Sequence, residues 1–288
     1  MRRLPILALC LLLAAGCAGR RGPVSGVPVP PPAQRCPLCV DPASPKIRQV
    51  YAAAVADARV PAPEEISRQL LALVASNDEL IRNPRGQILM VTWTKAEYFR
   101  DPEVYAKGRA FPLYGDTWMT AAPAMQRFCR ALGLDAGMLV LRLEQRLGLP
   151  PKAGKDAFLE IWVDPADLFR PCPDPGISDH ECQVEVPVAG AGARRRIDAP
   201  PWSCDPGLPQ VSGKFVTVDP AHLRWMCDTW RSTYGDEDPL KSYPWTALGY
   251  TYDWGSPGDP RGESEFVALA GTEVTFHSLT PTELYCAR

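Results

Sequence analysis

Apolar residues recur at helical spacing in the first part of the chain. Behind a Ser-Pro pair that suits a helix start, the stretch from Ile47 to Ala58 predicts a helix. The same spacing after Pro63 predicts a second helix over 66–74. Three more helices, each with one apolar stripe, are predicted over 123–132, 136–147 and 220–232.

Strand patterns dominate the remainder. Gln87 to Thr94 is apolar on both faces, which is typical of a strand in the middle of a sheet. Phe158 to Val163 predicts another strand, and shorter strands are predicted near 117–122, 183–188, 214–218, 249–254, 264–270 and 272–278. Helices early and strands late predict an α+β fold with a mixed or antiparallel sheet.

Two segments share the frame V-D-P-A-x-L-x-x-x-C, one beginning at Val163 and one at Val218. In each, the aspartate suits a helix cap and the proline suits the first turn. The frame indicates either a duplicated strand–helix unit or simply a favourable helix start. Because the residues between the two copies do not match, we favour the second interpretation.

The N-terminus has the pattern of an export signal. Two arginines precede a short apolar run from Leu4 to Ala15, and small residues lead up to Cys17. This arrangement predicts a secretory signal peptide. The run is too short to cross a bilayer, which needs roughly 20 apolar residues.

The stretch Leu13-Ala14-Ala15-Gly16-Cys17 resembles the lipobox of bacterial lipoproteins, with Ala14 in place of the usual leucine. The resemblance implies removal of residues 1–16 and diacylation of Cys17, and two acyl chains hold a protein stably at a membrane. It also implies a cell-envelope location, and Ala18 implies the outer membrane rather than the inner one in a Gram-negative cell. An ordinary cleaved signal with an incidental cysteine is the alternative.

Residues 17–45 are predicted to form a tether, because the run from Val27 to Pro32 (VPVPPP) favours extended polyproline II. Residues 46–288 are then one globular domain, long enough to bury a sizeable core. Without residues 1–16 the chain has 29 basic and 33 acidic residues. This balance predicts no nucleic-acid partner.

Of the ten cysteines, Cys10 leaves with the signal and Cys17 takes lipid, so eight remain. An even number in an oxidising compartment favours disulfides. We expect Cys172–Cys182, because the loop between them is short, and also Cys204–Cys227 and Cys129–Cys286.

Cys36-Pro37-Leu38-Cys39 is a C-x-x-C motif. A redox site or half of a metal site is one interpretation of it. However, it follows a Pro-rich tether, whereas redox motifs of this kind begin a helix after a strand. We therefore favour a structural disulfide for Cys36 and Cys39.

Other motifs of metal, cofactor or nucleophilic chemistry are missing from the sequence. The three histidines, His180, His222 and His277, do not have the spacing of a metal site. No G-x-S-x-G or phosphate-binding glycine loop occurs. The sequence predicts no metal and no cofactor.

Glu263-Ser264-Glu265 precedes a predicted hairpin. It resembles the E-x-E turn of arginine-type ADP-ribosyltransferases, which implies that Glu263 and Glu265 are candidate catalytic residues and that Glu265 would polarise the ribose of NAD. The Ser-Thr-Ser strand of that family is missing here. A polar turn before a hairpin is the alternative.

The segment from Tyr243 to Gly255 is rich in aromatic residues. On a strand, Tyr250, Tyr252 and Trp254 share one face, and Trp245 lies nearby. Such a face suits binding to sugar or peptide of the cell wall. It suits a packed core equally well, and we favour the core.

Three stretches are similar to a group of bacterial exported proteins to which no activity is assigned: Ile161 to Pro173, YPWTALGYTYDWG and SEFVALAGTEV. The resemblance implies one coherent domain and no mechanism. We expect a non-enzymatic envelope lipoprotein that is a binding or structural module, with cell-wall glycan or an envelope protein as its candidate partner. The alternative is an envelope hydrolase or transferase that uses carboxylates such as Glu265, Asp253 or Asp179.

Overall fold

The computed structural model describes residues 36–187, 194–196, 210–211, 214–215, 218–256 and 258–287. Within them lie five α-helices: α1 Pro45–Ala58, α2 Ala122–Leu132, α3 Ala136–Arg146, α4 Pro220–Tyr234 and α5 Thr282–Ala287. Single 3-10 turns lie at Pro63–Glu65, Ala96–Phe99, Pro165–Asp167 and Pro239–Lys241. None of the helices in these residues is long and apolar enough to cross a membrane.

The strands of the same residues are β1 Ile88–Thr94, β2 Ala110–Pro112, β3 Thr117–Ala121, β4 Ala157–Val163, β5 Glu185–Pro187, β6 Arg194–Arg196, β7 Gln210–Val211, β8 Lys214–Phe215, β9 Tyr250–Tyr252, β10 Arg261–Ser264, β11 Phe266–Ala268 and β12 Glu273–Pro281. Six of them form one sheet in the order β11-β3-β1-β4-β12-β2. All neighbours in it are antiparallel. The predicted α+β class is confirmed.

Alternation along β1 divides the core between the two faces of the sheet. Ile88 and Met90 pack on one face with apolar residues of β4 and β12. Leu89, Val91 and Trp93 pack on the other face, where α2, α3 and α5 cover them. Both faces of β1 are covered, which suits its apolar residues from Ile88 to Val91 and at Trp93, and its predicted central position is correct.

A second core joins α1 and α4 to the aromatic segment before β10. Ser44 caps α1 by accepting a hydrogen bond from the Ile47 amide. On the buried face of α1, the Tyr51 hydroxyl donates to the Ser242 carbonyl at 2.7 Å. Its ring lies edge-on to Trp254, with 5.5 Å between the ring centres.

The helix predicted over 66–74 is absent, because this stretch pairs its backbone with a distant loop. The Leu70 amide donates to the His180 carbonyl at 2.9 Å, and the Leu73 amide donates to the Ile177 carbonyl at 2.7 Å. Both acceptors lie in the loop between Cys172 and Cys182. The apolar residues of this stretch are therefore buried from an extended backbone and not from one face of a helix.

The packed domain begins before residue 46 and includes part of the predicted tether. Cys36 and Leu38 are buried. The Leu38 carbonyl accepts a hydrogen bond at 3.2 Å from the side-chain amide of Gln145, which lies on α3. The C-x-x-C loop is thereby fixed to the side of α3.

Three disulfides lie in the described residues. Cys129–Cys286 joins α2 to α5 with a Cα–Cα distance of 5.2 Å, and Cys172–Cys182 closes a surface loop at 6.4 Å, both as predicted from the sequence. Cys36–Cys39 forms the local disulfide favoured above, also at 5.2 Å. Cys227 is disulfide-bonded, and its predicted partner Cys204 lies outside the described residues, as does Cys17.

Candidate functional site

The central sheet splits between β1 and β3. The two strands pair over only two positions, and the last pair is Val91 with Thr120. Beyond it, β1 continues to Thr94 along β4, whereas the start of β3, from Thr117, follows β11. The facing strand edges therefore separate, and a cavity of about 1080 Å³ opens along the gap. We call it the aromatic cleft.

Three tryptophans form one wall of the aromatic cleft. Trp118 comes from β3, Trp225 from α4 and Trp245 from the segment before β9. Their ring centres are 5.8 to 6.2 Å apart. The Trp225 ring is oriented by Asp116, whose Oδ2 accepts from the indole N–H at 2.6 Å. Three elements distant in sequence thus meet at one apolar surface.

Hydroxyl groups line the strand edges and the polar side of α4. Helix α4 turns its apolar stripe into the core beside α1, which leaves its polar side toward the cleft. The hydroxyl-bearing residues of the lining include Thr92, Thr94, Thr117, Thr229, Ser232 and Thr233. The cleft therefore combines flat apolar rings with many neutral hydrogen-bonding groups.

Exposed tyrosines surround the cleft. Tyr98, Tyr114 and Tyr243 are 58%, 79% and 48% exposed and all belong to its lining. A tyrosine ring has an apolar face and a polar tip, and it presents them with little loss of side-chain entropy. Exposed aromatic side chains around a concave site are typical of binding surfaces.

The cleft lining has three acidic residues, and of these Asp116 and Asp228 are exposed whereas Glu265 is partly buried. The pairing of β11 with β3 ends at Phe266 and Met119, and Glu265 and Thr120 are the next residues outward on the two strands. The Oε2 atom of Glu265 is shielded from water and accepts no hydrogen bond. Burial away from water raises the pKa of this carboxyl to about 8, because desolvation penalises the charged form.

Two further polar atoms of the cleft lack partners. Thr120 Oγ1 and Trp245 Nε1 are also shielded from water and unbonded. Leaving a buried polar group unpaired costs about 1–3 kcal/mol. All three unpaired groups belong to residues that line one cavity, so a ligand held there is a candidate partner for them.

A basic group lies at the opposite end of the cleft. Lys155 precedes β4, beyond the Thr94 end of β1, whereas Glu265 lies near the Val91 end. Burial, and to a lesser degree the charge of Lys95, lower the pKa of Lys155. The polarity of the cleft therefore changes along its length.

The four aromatic residues proposed for binding from the sequence do not form an exposed platform. Tyr250 and Trp254 are buried, and each donates a hydrogen bond to a backbone carbonyl. The Tyr252 hydroxyl donates to Asp57. Trp245, Tyr250 and Tyr252 nevertheless line the aromatic cleft, from inside the domain.

The structure does not bring Glu263 and Glu265 together. Glu263 accepts a hydrogen bond from Arg146 Nε at 2.8 Å, beside β9 rather than in the cleft. The two residues diverge because β10 pairs with β9, whereas β11 pairs with β3. Of the two glutamates, only Glu265 lines the cleft.

The other proposed carboxylates also have partners. Asp253 is held in a bidentate ion pair by Arg142, at 2.8 and 2.7 Å. Asp179 binds the buried guanidinium of Arg170 in the disulfide loop. These two aspartates stabilise the fold and do not face Glu265 across a pocket.

Sequence reasoning missed most of the cleft. Trp118, Trp225 and the three exposed tyrosines are scattered over residues 98–243, and no local motif connects them. The one available signal was the number of tryptophans and tyrosines in otherwise polar segments. Comparison of the chain with known protein families, with curated proteins and with solved structures found no match.

Proposed function

We propose that the protein is an exported, lipid-anchored lipoprotein of the bacterial cell envelope and that its domain binds a glycan in the aromatic cleft. The N-terminal residues up to Cys17 support the location. The combination of tryptophan wall, hydroxyl lining and exposed tyrosines supports the ligand.

The surface chemistry of the cleft fits sugars. A sugar ring has C–H groups on its faces, which pack on aromatic rings, and hydroxyls around its edge, which need hydrogen-bonding partners. Ligand pockets usually have volumes of about 300–1,000 Å³. At about 1080 Å³, the cleft has room for more than one sugar unit.

Binding to purified peptidoglycan and to envelope polysaccharide tests this proposal. We expect the chain from residue 17 onward, solubilised in detergent, to co-sediment with at least one of them. Tyr114→Ala should weaken binding about tenfold, because the ring is exposed on the rim of the cleft and contributes little to folding.

Leu284→Ala is the matched control, because Leu284 is a large exposed side chain on α5 and is not part of the cleft lining. It should bind like the wild type. Absence of binding to every glycan, or equal binding by the Tyr114→Ala variant, would contradict the proposal.

A second candidate function is an envelope hydrolase or transferase that uses Glu265. One observation favours it: an unpaired carboxyl with a raised pKa in a cleft is typical of a catalytic acid. Incubation with the bound glycan distinguishes the two functions. Shortened products that disappear with Glu265→Gln would establish the enzyme, whereas intact ligand supports the binding protein.

A further inference from the structure

Three residues that line the aromatic cleft each have a polar atom without a hydrogen-bonding partner, namely Glu265 Oε2, Thr120 Oγ1 and Trp245 Nε1. Glu265 and Thr120 are the next residues on the two strands beyond Phe266 and Met119, the last pair of the β3–β11 register. Trp118 lies two residues from Thr120 on the same face of β3, and its ring centre is 5.9 Å from that of Trp245. Glu265, Thr120 and Trp245 therefore belong to one end of the cleft.

The hydrogen-bonding capacity of these three groups restricts which ligand they can bind. An indole N–H only donates, so Trp245 requires an acceptor on the ligand. A hydroxyl and a carboxylic acid can each donate or accept, so Thr120 and Glu265 can meet a ligand donor. An anionic ligand is disfavoured, because its charge would be buried beside an acidic group.

The apolar surroundings of the three groups restrict the chemistry of the ligand further. Thr120 and Trp245 are only 5% and 6% exposed, and the rings of Trp118 and Trp225 contact Trp245. A group that fills this space needs an acceptor, a donor and an apolar end, and must be uncharged. A hydroxyl provides no apolar end, whereas an acetamido group has a carbonyl oxygen, an N–H and a methyl.

We propose that Glu265, Thr120 and Trp245 bind the acetamido group of an N-acetylated amino sugar. The carbonyl oxygen accepts from the indole N–H of Trp245, the amide N–H donates to Glu265 or Thr120, and the methyl packs on the tryptophan wall. This inference rests on the proposed function and names its substrate class, a glycan of N-acetylhexosamines.

Paired oligosaccharides test the inference. Quenching of tryptophan fluorescence is measured on the chain from residue 17 onward with N-acetylglucosamine tetramer and with glucose tetramer of the same linkage. We expect the acetylated tetramer to bind at least tenfold more tightly, because only it pairs the buried groups.

Two conservative variants test whether these buried groups cause the preference for the acetylated sugar. Trp245→Phe keeps a ring and removes the N–H, and Thr120→Val keeps the shape and removes the hydroxyl. Each should reduce the preference for the acetylated sugar about fivefold or more. The matched controls are Trp230→Phe and Thr280→Val, whose polar atoms are also buried and unbonded but do not line the cleft, and they should leave it unchanged.

The outcomes separate this inference from the function on which it rests. Equal binding of the two tetramers, or a preference that survives both cleft variants, overturns the acetamido assignment and leaves glycan binding intact. Binding of neither tetramer, nor of any envelope glycan, overturns both. Tighter binding of an N-acetylated peptide than of either sugar assigns the site to peptide amides and overturns the inference.

Discussion

The buried charges of this domain are neutralised in different ways. Arg142 is paired with Asp253, and Arg170 is surrounded by Asp179 and several backbone carbonyls. Glu265 instead has no partner for Oε2 and remains protonated at higher pH than an ordinary glutamate. Pairing stabilises the first two groups at neutral pH, whereas the third makes stability depend on pH.

Replacing Glu265 with glutamine should remove a pH dependence of stability. Between about pH 4.5 and 8 the folded protein keeps the Glu265 proton, whereas the unfolded chain loses it, so stability falls as pH rises. At about 1.4 kcal/mol per pKa unit, reduced because the side chain is partly accessible, the loss is on the order of 3 kcal/mol. Glu265→Gln should lack this decline.

Thermal unfolding measured from pH 4.5 to 8.5 checks this prediction. The comparison of wild type with Glu265→Gln isolates one group, since other buried acids such as Glu144 titrate in both proteins. The variant should match the wild type near pH 5 and exceed it at pH 8. Parallel curves for the two proteins would show that Glu265 is not shielded from water.

Loss of Asp253 should destabilise the fold strongly. Its side chain is 1% exposed and that of Arg142 is 7% exposed, so Asp253→Ala leaves a buried cation without its carboxylate partner. We expect a loss of about 3–5 kcal/mol in urea-induced unfolding. Glu79→Ala, in the exposed pair with Arg127, is the control and should cost less than about 1 kcal/mol. Similar losses in the two variants would contradict the burial described here.

At the scale of secondary-structure elements, the local sequence determined where an element starts better than how long it is. Asp164 and Asp219 each accept a hydrogen bond from the amide two residues later, at 2.9 and 2.7 Å. Yet the first begins a single 3-10 turn, and the second begins the 15-residue helix α4. The first ends early because Phe169 exchanges backbone hydrogen bonds with Val267 of β11.

The central strands and most helices could be predicted because their apolar pattern reports the surface they bury. The helix over 66–74 could not be excluded, since the loop that pairs with it is a hundred residues away. Prediction of the cleft was limited in the same way, because its residues come from distant parts of the chain. Trp245, Tyr250, Tyr252 and Glu265 were singled out from local patterns, but only the packing of β3, β11 and α4 shows that they line one cavity.

The disulfide between α2 and α5 should contribute more to stability than the one in the surface loop. Cys129–Cys286 spans 157 residues and Cys172–Cys182 spans 10. Loop-closure entropy predicts losses of about 5 and about 3 kcal/mol when each pair is replaced by alanines. Urea unfolding of the two double variants checks this order. A larger loss for the short loop would show that contacts of the loop, rather than chain entropy, dominate.

At the scale of the whole molecule, the proposed anchor determines where the protein resides. Cys17→Ala should abolish lipid attachment and release the protein from the membrane fraction or leave an unprocessed precursor. Cys10→Ala is the control, because Cys10 lies in the apolar run that is removed. Fractionation of a bacterial host after labelling with radioactive palmitate checks both variants. Palmitate incorporation into Cys17→Ala, or its absence from the wild type, would contradict the proposal.

The attachment of the C-x-x-C loop to α3 has a mechanical consequence. A pull on Cys17, if that residue carries the proposed lipid, reaches the described part of the domain at Cys36. There it is shared between the disulfide and Gln145, which is fully buried. A Cβ on Gly255 would lie 2.2 Å from the Gln145 side chain. Even an alanine at that position would therefore displace Gln145 and weaken its hydrogen bond to the Leu38 carbonyl. A pulling force would then separate the first residues from the domain more easily.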